Sequence, residues 1–248
     1  MSYSDRARAF AALHQSGTPL VLYNIWDAGS AKAIEGAGAK ALATGSWSVA
    51  AAQGFGDGEE IPLELLLEIA TRIAASSDLP LTVDFEGGYA VEAAALTQNA
   101  RRLVQTGAVG INFEDQIVGG EGLYTVDDQA KRIAAMRLAD SDYFINARTD
   151  LFLKERDAEK HADLVEQAIT RAAAYAEAGA SGFFVPGLTD AGLIAQITAG
   201  SPLPVNVMMR RGMTLAAMAE VGVARASYGP GPYAKAMKQL AEAFTALE

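Results

Sequence analysis

The sequence predicts a single-domain (β/α)8 barrel over residues 1–248, and three observations predict it. Two short phrases recur along the chain, each opening an apolar strand. Helical stripes fill the gaps between the strands. No linker or low-complexity break interrupts the alternation. In the first phrase a glycine ends a helix in left-handed geometry and a strand follows. In the second a proline takes a strand's first position, where its missing donor lies outside the ladder.

In chain order, Pro19 opens Leu20-Val21-Leu22-Tyr23, and Gly38 leads into Leu42-Ala43-Thr44. Pro62 marks a first helical turn before the stripe Leu63, Leu66, Leu67, Ala70, Ile73 and Ala74. Pro80 opens Leu81-Thr82-Val83, and Gly107 leads into Val109 to Phe113. The stripe Val126, Ala130, Ile133, Ala134 precedes a fifth strand, Tyr143 to Ala147, and Val165, Ala168, Ile169, Ala172 follow it. Gly179 leads into Phe183-Phe184-Val185, Pro204 into Val205-Asn206-Val207, and Gly222 into the last strand, ending at Tyr228. These are eight strands alternating with eight helices. Asn24-Ile25-Trp26-Asp27-Ala28-Gly29-Ser30 follows the first strand instead of a dinucleotide glycine fingerprint, which disfavours a doubly wound sheet.

Half of the residues are apolar, enough for a large core, and the net charge of −10 comes from acids and bases mixed throughout. No basic stripe supports nucleic-acid binding. The absence of cysteine excludes disulfides, zinc–thiolate sites, iron–sulfur clusters and a catalytic thiol. Met1 to Arg6 leads into an amphipathic stretch, not a signal-peptide core, and no apolar run spans a bilayer, so a soluble cytoplasmic protein without membrane partners is expected.

In a barrel the active site lies at the C-terminal strand ends. Those ends carry Asn24, Trp26 and Asp27; Thr44, Gly45, Ser46 and Trp47; Asp84 and Glu86; Glu114 and Asp115; Arg148 and Asp150; Asn206; and Ser227 and Tyr228. The opposite ends carry mostly Gly, Ala, Lys and Pro. Converging carboxylates are costly to bury unpaired, and oxygen donors without cysteine or a strand-end histidine favour Mg²⁺, with Mn²⁺ as the alternative. Asp84, Glu86 and Glu114 are the candidate metal residues, some direct and some through water; a structural network with Arg148 is the competing reading. Arg148 has the fork that grips a substrate carboxylate, and Gly45-Ser46-Trp47 offers backbone donors to an anion. Trp26 and Asn206 complete the candidate substrate-binding set. His14 and His161 fall on helical segments away from strand ends and read as solvated.

These residues resemble the isocitrate lyase/phosphoenolpyruvate mutase superfamily. The resemblance rests on Asn24 to Ala31, Thr44-Gly45-Ser46 with Gly54 to Gly58, Val83-Asp84-Phe85-Glu86-Gly87-Gly88-Tyr89, Phe113-Glu114-Asp115-Gln116 and Asn146-Ala147-Arg148-Thr149-Asp150. It implies Asp84 as the main metal ligand, Glu86 and Glu114 as holders of metal waters, Asp57 as an active-site aspartate and Arg148 as the substrate arginine. Asp57, Glu114 and Arg148 thus form the candidate catalytic set. Three departures stand out. Ile117 to Tyr124 replaces the lyases' cysteine- and histidine-bearing gating loop, and the mutases' asparagine segment is missing. Val185-Pro186 also stands where mutases present a histidine, so C–C cleavage is expected over P–C chemistry.

The resemblance implies a Mg²⁺-dependent lyase acting on a small 2-oxo carboxylate or dicarboxylate through a metal-stabilised enolate, with oxaloacetate-type decarboxylation the simplest case. Decarboxylation needs no thiol acid to start. Retro-aldol or retro-Claisen cleavage of a substituted malate or isocitrate-like acid is the alternative, with Asp57, Tyr89 or Glu121 as base. A non-catalytic binder of 2-oxoglutarate or pyruvate is the third reading. Members of the superfamily often exchange the last helix and form dimers of dimers. Here the chain ends soon after that helix, Tyr233 to Leu247, and a homo-dimer or homo-tetramer is expected.

Overall fold

Eight parallel strands form the barrel in a computed structural model that describes residues 2–247. They are β1 (Leu20–Leu22), β2 (Leu42–Ala43), β3 (Leu81–Asp84), β4 (Gly110–Glu114), β5 (Phe144–Arg148), β6 (Gly182–Phe184), β7 (Val205–Met208) and β8 (Arg225–Ser227). Neighbours pair in sequence order from β2 to β8, and β8 pairs with β1 through Leu20↔Arg225 and Leu22↔Ser227. The last seam, between β1 and β2, closes one step beyond the strands: Ile25 N–H donates to Ala43 at 2.8 Å and Gly45 N–H to Ile25 at 3.2 Å.

The helices depart from a strict one-per-strand alternation. An extra helix, α1 (Tyr3–Ala12), precedes the barrel, and α2 (Ala28–Gly36) follows β1. The stretch after β2 is split into α3 (Ser46–Ala52) and α4 (Leu63–Ser76), because Gly54, Gly56 and Gly58 interrupt the helical pattern. Then come α5 (Ala93–Gln105), α6 (Val126–Arg137), a short α7 (Leu151–Lys154) with a 3-10 segment at Ala158–Leu164, and α8 (Val165–Glu177). The last three are α9 (Ala191–Gly200), α10 (Leu215–Glu220) and α11 (Gly231–Thr245). No helix among the described residues is long and apolar enough to cross a membrane.

Strand alternation divides the apolar residues into two clusters. Outward residues such as Val83, Ile111, Phe113, Ile145, Phe183 and Val207 pack beneath the helices in the larger one. The smaller cluster fills the N-terminal end of the barrel: Leu20, Leu22, Ala41, Ala43 and Phe144 meet Ala7 and Phe10 of α1. Phe10 reaches in because β4 begins with Gly110, whose added Cβ would stand 3.2 Å from the Phe10 ring and 2.8 Å from the Phe144 carbonyl oxygen. α1 is therefore a plug.

Both histidines overturn the solvated reading. His14 stacks on Phe144 at 4.0 Å, and its Nδ1 lies 2.9 Å from the Phe10 carbonyl, which can only accept, so Nδ1 carries the proton. Its Nε2 is buried without a partner, and burial, followed by the charge of Arg225, pushes its pKa down to about 3. His161 is also buried, with Nε2 on the Glu155 carbonyl and its ring against Phe152. An amphipathic stripe does not reveal a histidine packed on an aromatic ring from another element.

Candidate active site

The C-terminal end of the barrel opens into a cavity of about 580 Å³, with a side chamber of about 310 Å³. Ser46, Asp57 and Arg148 line both spaces. Asp84, the last residue of β3, lies on the floor of the main cavity. Its Oδ2 accepts from Ser46 N–H at 3.1 Å, and its own N–H donates to Thr44 Oγ1 at 2.9 Å. Its Oδ1 is buried without a partner among the described residues. A buried carboxylate oxygen in that state calls for a cation or a donor from a ligand.

Glu86 and Glu114 stand beside it. Glu86 accepts Gly58 N–H at 3.1 Å and Glu59 N–H at 2.7 Å, fastening the loop after α3 to the end of β3. Tyr89 N–H returns the contact to Glu59 Oε1 at 2.8 Å. Glu59, Glu86 and Tyr89 have φ values of 62°, 49° and 56°, so backbone strain gathers in this latch. Gly88 beside them has φ 85°, and an added Cβ would collide with Met136 and Leu96. Arg132 fastens the same turn from outside, donating to the Gly87 carbonyl at 2.6 Å, with its guanidinium 4.1 Å from the Tyr124 ring centroid.

Burial pushes Glu86 up to about 9, assisted by the charges of Asp84, Asp57 and Glu114. Burial pushes Glu114 up to about 8, with Arg148 opposing and Asp150, Asp84 and Asp57 assisting. Such a cluster of carboxylates is favoured by a divalent cation. No three of the described acidic or histidine side chains form a ready-made metal cage. The donor set instead fits Mg²⁺, which takes one or two carboxylates and keeps waters. Asp84 Oδ1 is the direct ligand this geometry leaves free. Both Glu86 oxygens are held by amides, which suits it to orient waters.

Arg148 ends β5 and lines the cavity. Asp150 holds its Nε and Nη2 at 2.6 and 2.9 Å, and Glu114 Oε2 lies 2.8 Å from Nη1. Two guanidinium N–H groups are thus hydrogen-bonded to Asp150 and the charge is paired with Glu114, which leaves N–H groups for a bound anion. The structural network is therefore present, and it does not use every donor that a substrate clamp would need. Asp115, next to Glu114, faces outward instead: fully buried, it pairs with Arg171 at 3.0 Å and accepts from Tyr175 at 2.9 Å. Strand alternation separates the two adjacent acids into site and scaffold.

Gly45 caps α3 without a side-chain acceptor, and Gly45, Ser46, Trp47 and Ser48 all line the cavity. The Ser46 amide is taken by Asp84, so the Trp47 and Ser48 amides of the first turn remain donors for a bound molecule. Asn24 ties the rim together, accepting Tyr228 and Gly229 N–H at 2.9 and 2.8 Å and donating to the Thr44 carbonyl at 2.8 Å.

Residues 10–248 match the phosphoenolpyruvate phosphomutase family. The chain belongs to it. It is 35% identical, over 96% of its length and 88% of the other's, to a Mycobacterium tuberculosis H37Rv protein whose activity is uncharacterised. It is 28% identical to the oxaloacetate decarboxylase of Pseudomonas savastanoi pv. phaseolicola, over 96% of this chain and 83% of that one. Among solved structures, a Burkholderia cenocepacia J2315 protein with a provisional phosphonomutase name is 47% identical, with a TM-score of 0.96 over the whole of both chains. A phosphonopyruvate hydrolase solved with oxalate and Mg²⁺ has a TM-score of 0.86 at 21% identity, over 98% of this chain and 86% of that one, and shares the fold.

Against this family background the expected residues separate by position. Asp57, Asp84, Arg148, Gly45, Ser46 and Trp47 line the main cavity, and Glu86 and Glu114 line the side chamber. Trp26 lies outside both, in a neighbouring groove, with its ring 5.1 Å from that of Tyr233. Asn206 lines neither: it is buried in the barrel interior, accepting from Ser227 at 3.3 Å. Of the three candidate bases, only Asp57 reaches the cavity; Tyr89 faces a separate surface pocket and Glu121 is exposed. Ile117 to Tyr124, where the lyases' gating loop would stand, folds back through Ile117 N–H to the Gly122 carbonyl and does not line the main cavity.

The sequence reading missed Asn112, Arg210, Arg211 and Arg225. Asn112, Arg210 and Arg211 line the cavity, and Arg225 is 1% exposed inside the barrel. Strand alternation places Asn112 on the same inward face as Glu114, a signal available in the sequence. Arg225 begins its strand and carries no such mark.

Proposed function

We propose that this chain is a Mg²⁺-dependent lyase acting on a small 2-oxo carboxylate, with oxaloacetate-type decarboxylation as its reaction. The observation that carries this is Asp84: one oxygen fixed by Ser46 N–H, the other buried and unpaired among the described residues, on the floor of a cavity that Asp57, Arg148, Arg210 and Arg211 also line. Family membership and the oxaloacetate decarboxylase relative support the same reading.

In decarboxylation the bond to the departing carboxylate breaks, its electron pair moves onto the 2-oxo oxygen, CO₂ leaves, and the carbon is then protonated. When bound, Mg²⁺ would supply Lewis-acid stabilisation of the negative charge that develops on the substrate. The protein's share is positioning. Ser46 N–H fixes the Asp84 carboxylate; Glu86 and Glu114 would orient waters; the free Arg148 N–H groups and the Trp47 and Ser48 amides of α3 grip the substrate carboxylate and the developing oxyanion. Asp57, alone of the candidate bases in reaching the cavity, would be the base if the substrate were a substituted malate.

A panel of 2-oxo and 2-hydroxy dicarboxylates, each with Mg²⁺ and with chelator, tests this. Oxaloacetate should release pyruvate and CO₂ only with metal. Turnover of substituted malates alone would install the retro-aldol reading, and tight metal-dependent binding of 2-oxo acids with no turnover would install the non-catalytic one.

We also propose a homo-oligomer. Met237, Leu240, Phe244 and Leu247 form an exposed stripe on and just beyond α11, with Leu240 and Phe244 66% and 69% exposed, while Pro232 is the residue of that helix buried in the chain. An open groove beside β1, lined by Leu13, Val21 and Ile34 among others, offers an apolar seat. A second copy presenting the same stripe and groove accounts for both.

A further inference from the structure

The barrel interior beneath Asp84 holds an unusual polar layer. Thr82, Asn112, Asn146, Asn206 and Arg225 are all at most 4% exposed. Arg225 has no carboxylate within ion-pair reach among the described residues. Its fixed partners are Asn112 Oδ1, 2.9 Å from Nη2, and Ser227 Oγ, 3.4 Å from Nε; its Nη1 has none. Burial pulls its pKa down to about 9, with Asp84 opposing. A buried guanidinium without a carboxylate partner is costly to desolvate, and scaffold alone does not explain it.

Asn112 connects this cation to the cavity. Its Oδ1 receives both Arg225 Nη2 and Asn146 Nδ2, the latter at 2.8 Å. A guanidinium has no acceptor, so the oxygen of the amide must face Arg225. The Nδ2 end is thereby committed to the other side, where Asn112 lines the cavity one strand from Asp84. No hydrogen bond among the described residues uses Asn112 Nδ2. Gly182 makes room for this arrangement, since a Cβ there would stand 2.8 Å from Asn146 Oδ1.

We propose that Asn112 is a ligand-binding donor of the cavity, and that Arg225 is its positioning residue, fixing the amide and balancing an anionic ligand from beneath. This rests on the 2-oxo carboxylate reading and extends it: the site recognises a planar dianion or enolate oxygen through an amide donor backed by a buried charge.

Calorimetric titration with oxalate, a planar dianion of that shape, on Mg²⁺-loaded protein tests it, beside titration with Mg²⁺ alone. Asn112→Ala and Arg225→Met should each weaken oxalate binding about ten- to a hundredfold, the range for a hydrogen bond to a charged group. Arg225→Lys should restore part of the loss. Removing a buried cation should leave Mg²⁺ affinity equal or higher while oxalate affinity falls. A structural loosening lowers both, and that result overturns the proposal. Folded variants that bind oxalate like the wild type overturn it and leave the 2-oxo acid reading standing. A wild-type protein that binds Mg²⁺ but no oxalate overturns both. Should Arg225→Met fail to fold, Arg225 belongs to the fold, its positioning role is overturned, and Asn112→Ala decides the donor.

Discussion

The two ends of the barrel are built on opposite terms. At the closed end Phe10, Leu20, Leu22 and Phe144 pack without exposed surface to spare, and α1 seals them. At the open end Asp84, Glu86 and Glu114 crowd together at a cost that burial raises, and Glu59, Glu86 and Tyr89 adopt left-handed backbone around them. One end is packed shut as it stands, with the His14 Nε2 left over; the other is completed by what it binds. Substitutions at the two ends should therefore separate stability from function.

The largest effect belongs to the open end. Asp84→Asn keeps the shape and removes the charge that holds the cation. Mg²⁺ affinity should fall by more than about a hundredfold, since even supporting residues of metal sites cost that much. Metal-dependent turnover should vanish, while the melting temperature of the metal-free protein stays level or rises as Glu86 and Glu114 are relieved. A lower melting temperature with intact Mg²⁺ binding would reverse the assignment. The counterpart is Phe10→Ala, which should destabilise by about 3–5 kcal/mol through the cavity it leaves. Denaturant unfolding measures it, and kcat/KM should hold wherever the variant remains folded. A selective loss of activity would show that the plug reaches the chemistry.

The contrast also explains what could be read from the sequence. Strand-opening glycines and prolines specified the barrel because each has one geometric use at that place. Asp84, Glu86, Glu114 and Arg148 were legible because strand ends with short acidic runs have few structural uses. Trp26 and Asn206 miss the site because neither stands at the end of its strand: Trp26 lies beyond β1 and turns to a side groove, and Asn206 is inside β7, which runs on to Met208, and is buried in the barrel. The plug and the pairing of Arg225 with Asn112 were invisible for another reason. Phe10, His14 and Arg225 gain their meaning from residues far away in the chain, such as Phe144 and Asn112. No local period encodes such a meeting.

A smaller effect follows from charge at the open end. Glu86 and Glu114 rise from an ordinary 4.5 to about 9 and about 8 in the fold. The metal-free folded state therefore binds more protons than the unfolded chain between those values. Their contribution to stability is fully present below about pH 4.5 and is lost as pH climbs through 8 and 9. Mg²⁺ favours the ionised forms, so the rise in melting temperature that it produces should grow from pH 5 to pH 9. A metal-induced rise independent of pH would mean that these two carboxylates do not respond to the cation.

The oligomer proposal predicts a change outside both ends. Phe244→Asp with Leu240→Asp places charge on the exposed α11 stripe. Sedimentation velocity should show the assembly dissociating, and wild-type protein that sediments as a monomer would remove the reason for the stripe.

The smallest effect returns to the closed end, with the opposite sign of pH dependence. His14 falls from an ordinary 6.5 to about 3, through burial and then the charge of Arg225. A depressed folded pKa means that the unfolded chain takes up the proton first. The contribution of a neutral His14 is present above about pH 6.5 and is lost as pH falls toward 3. His14→Leu keeps an apolar body against Phe144 but carries no proton. The variant should match the wild type within about 1 kcal/mol near neutrality and lose less stability between pH 6.5 and pH 4. Thermal unfolding of both proteins across that range, metal-free, measures it, since the carboxylates contribute the same pH dependence to each. Parallel curves for the two proteins would show that His14 is protonated in the fold, and that the closed end is not as dry as its packing requires.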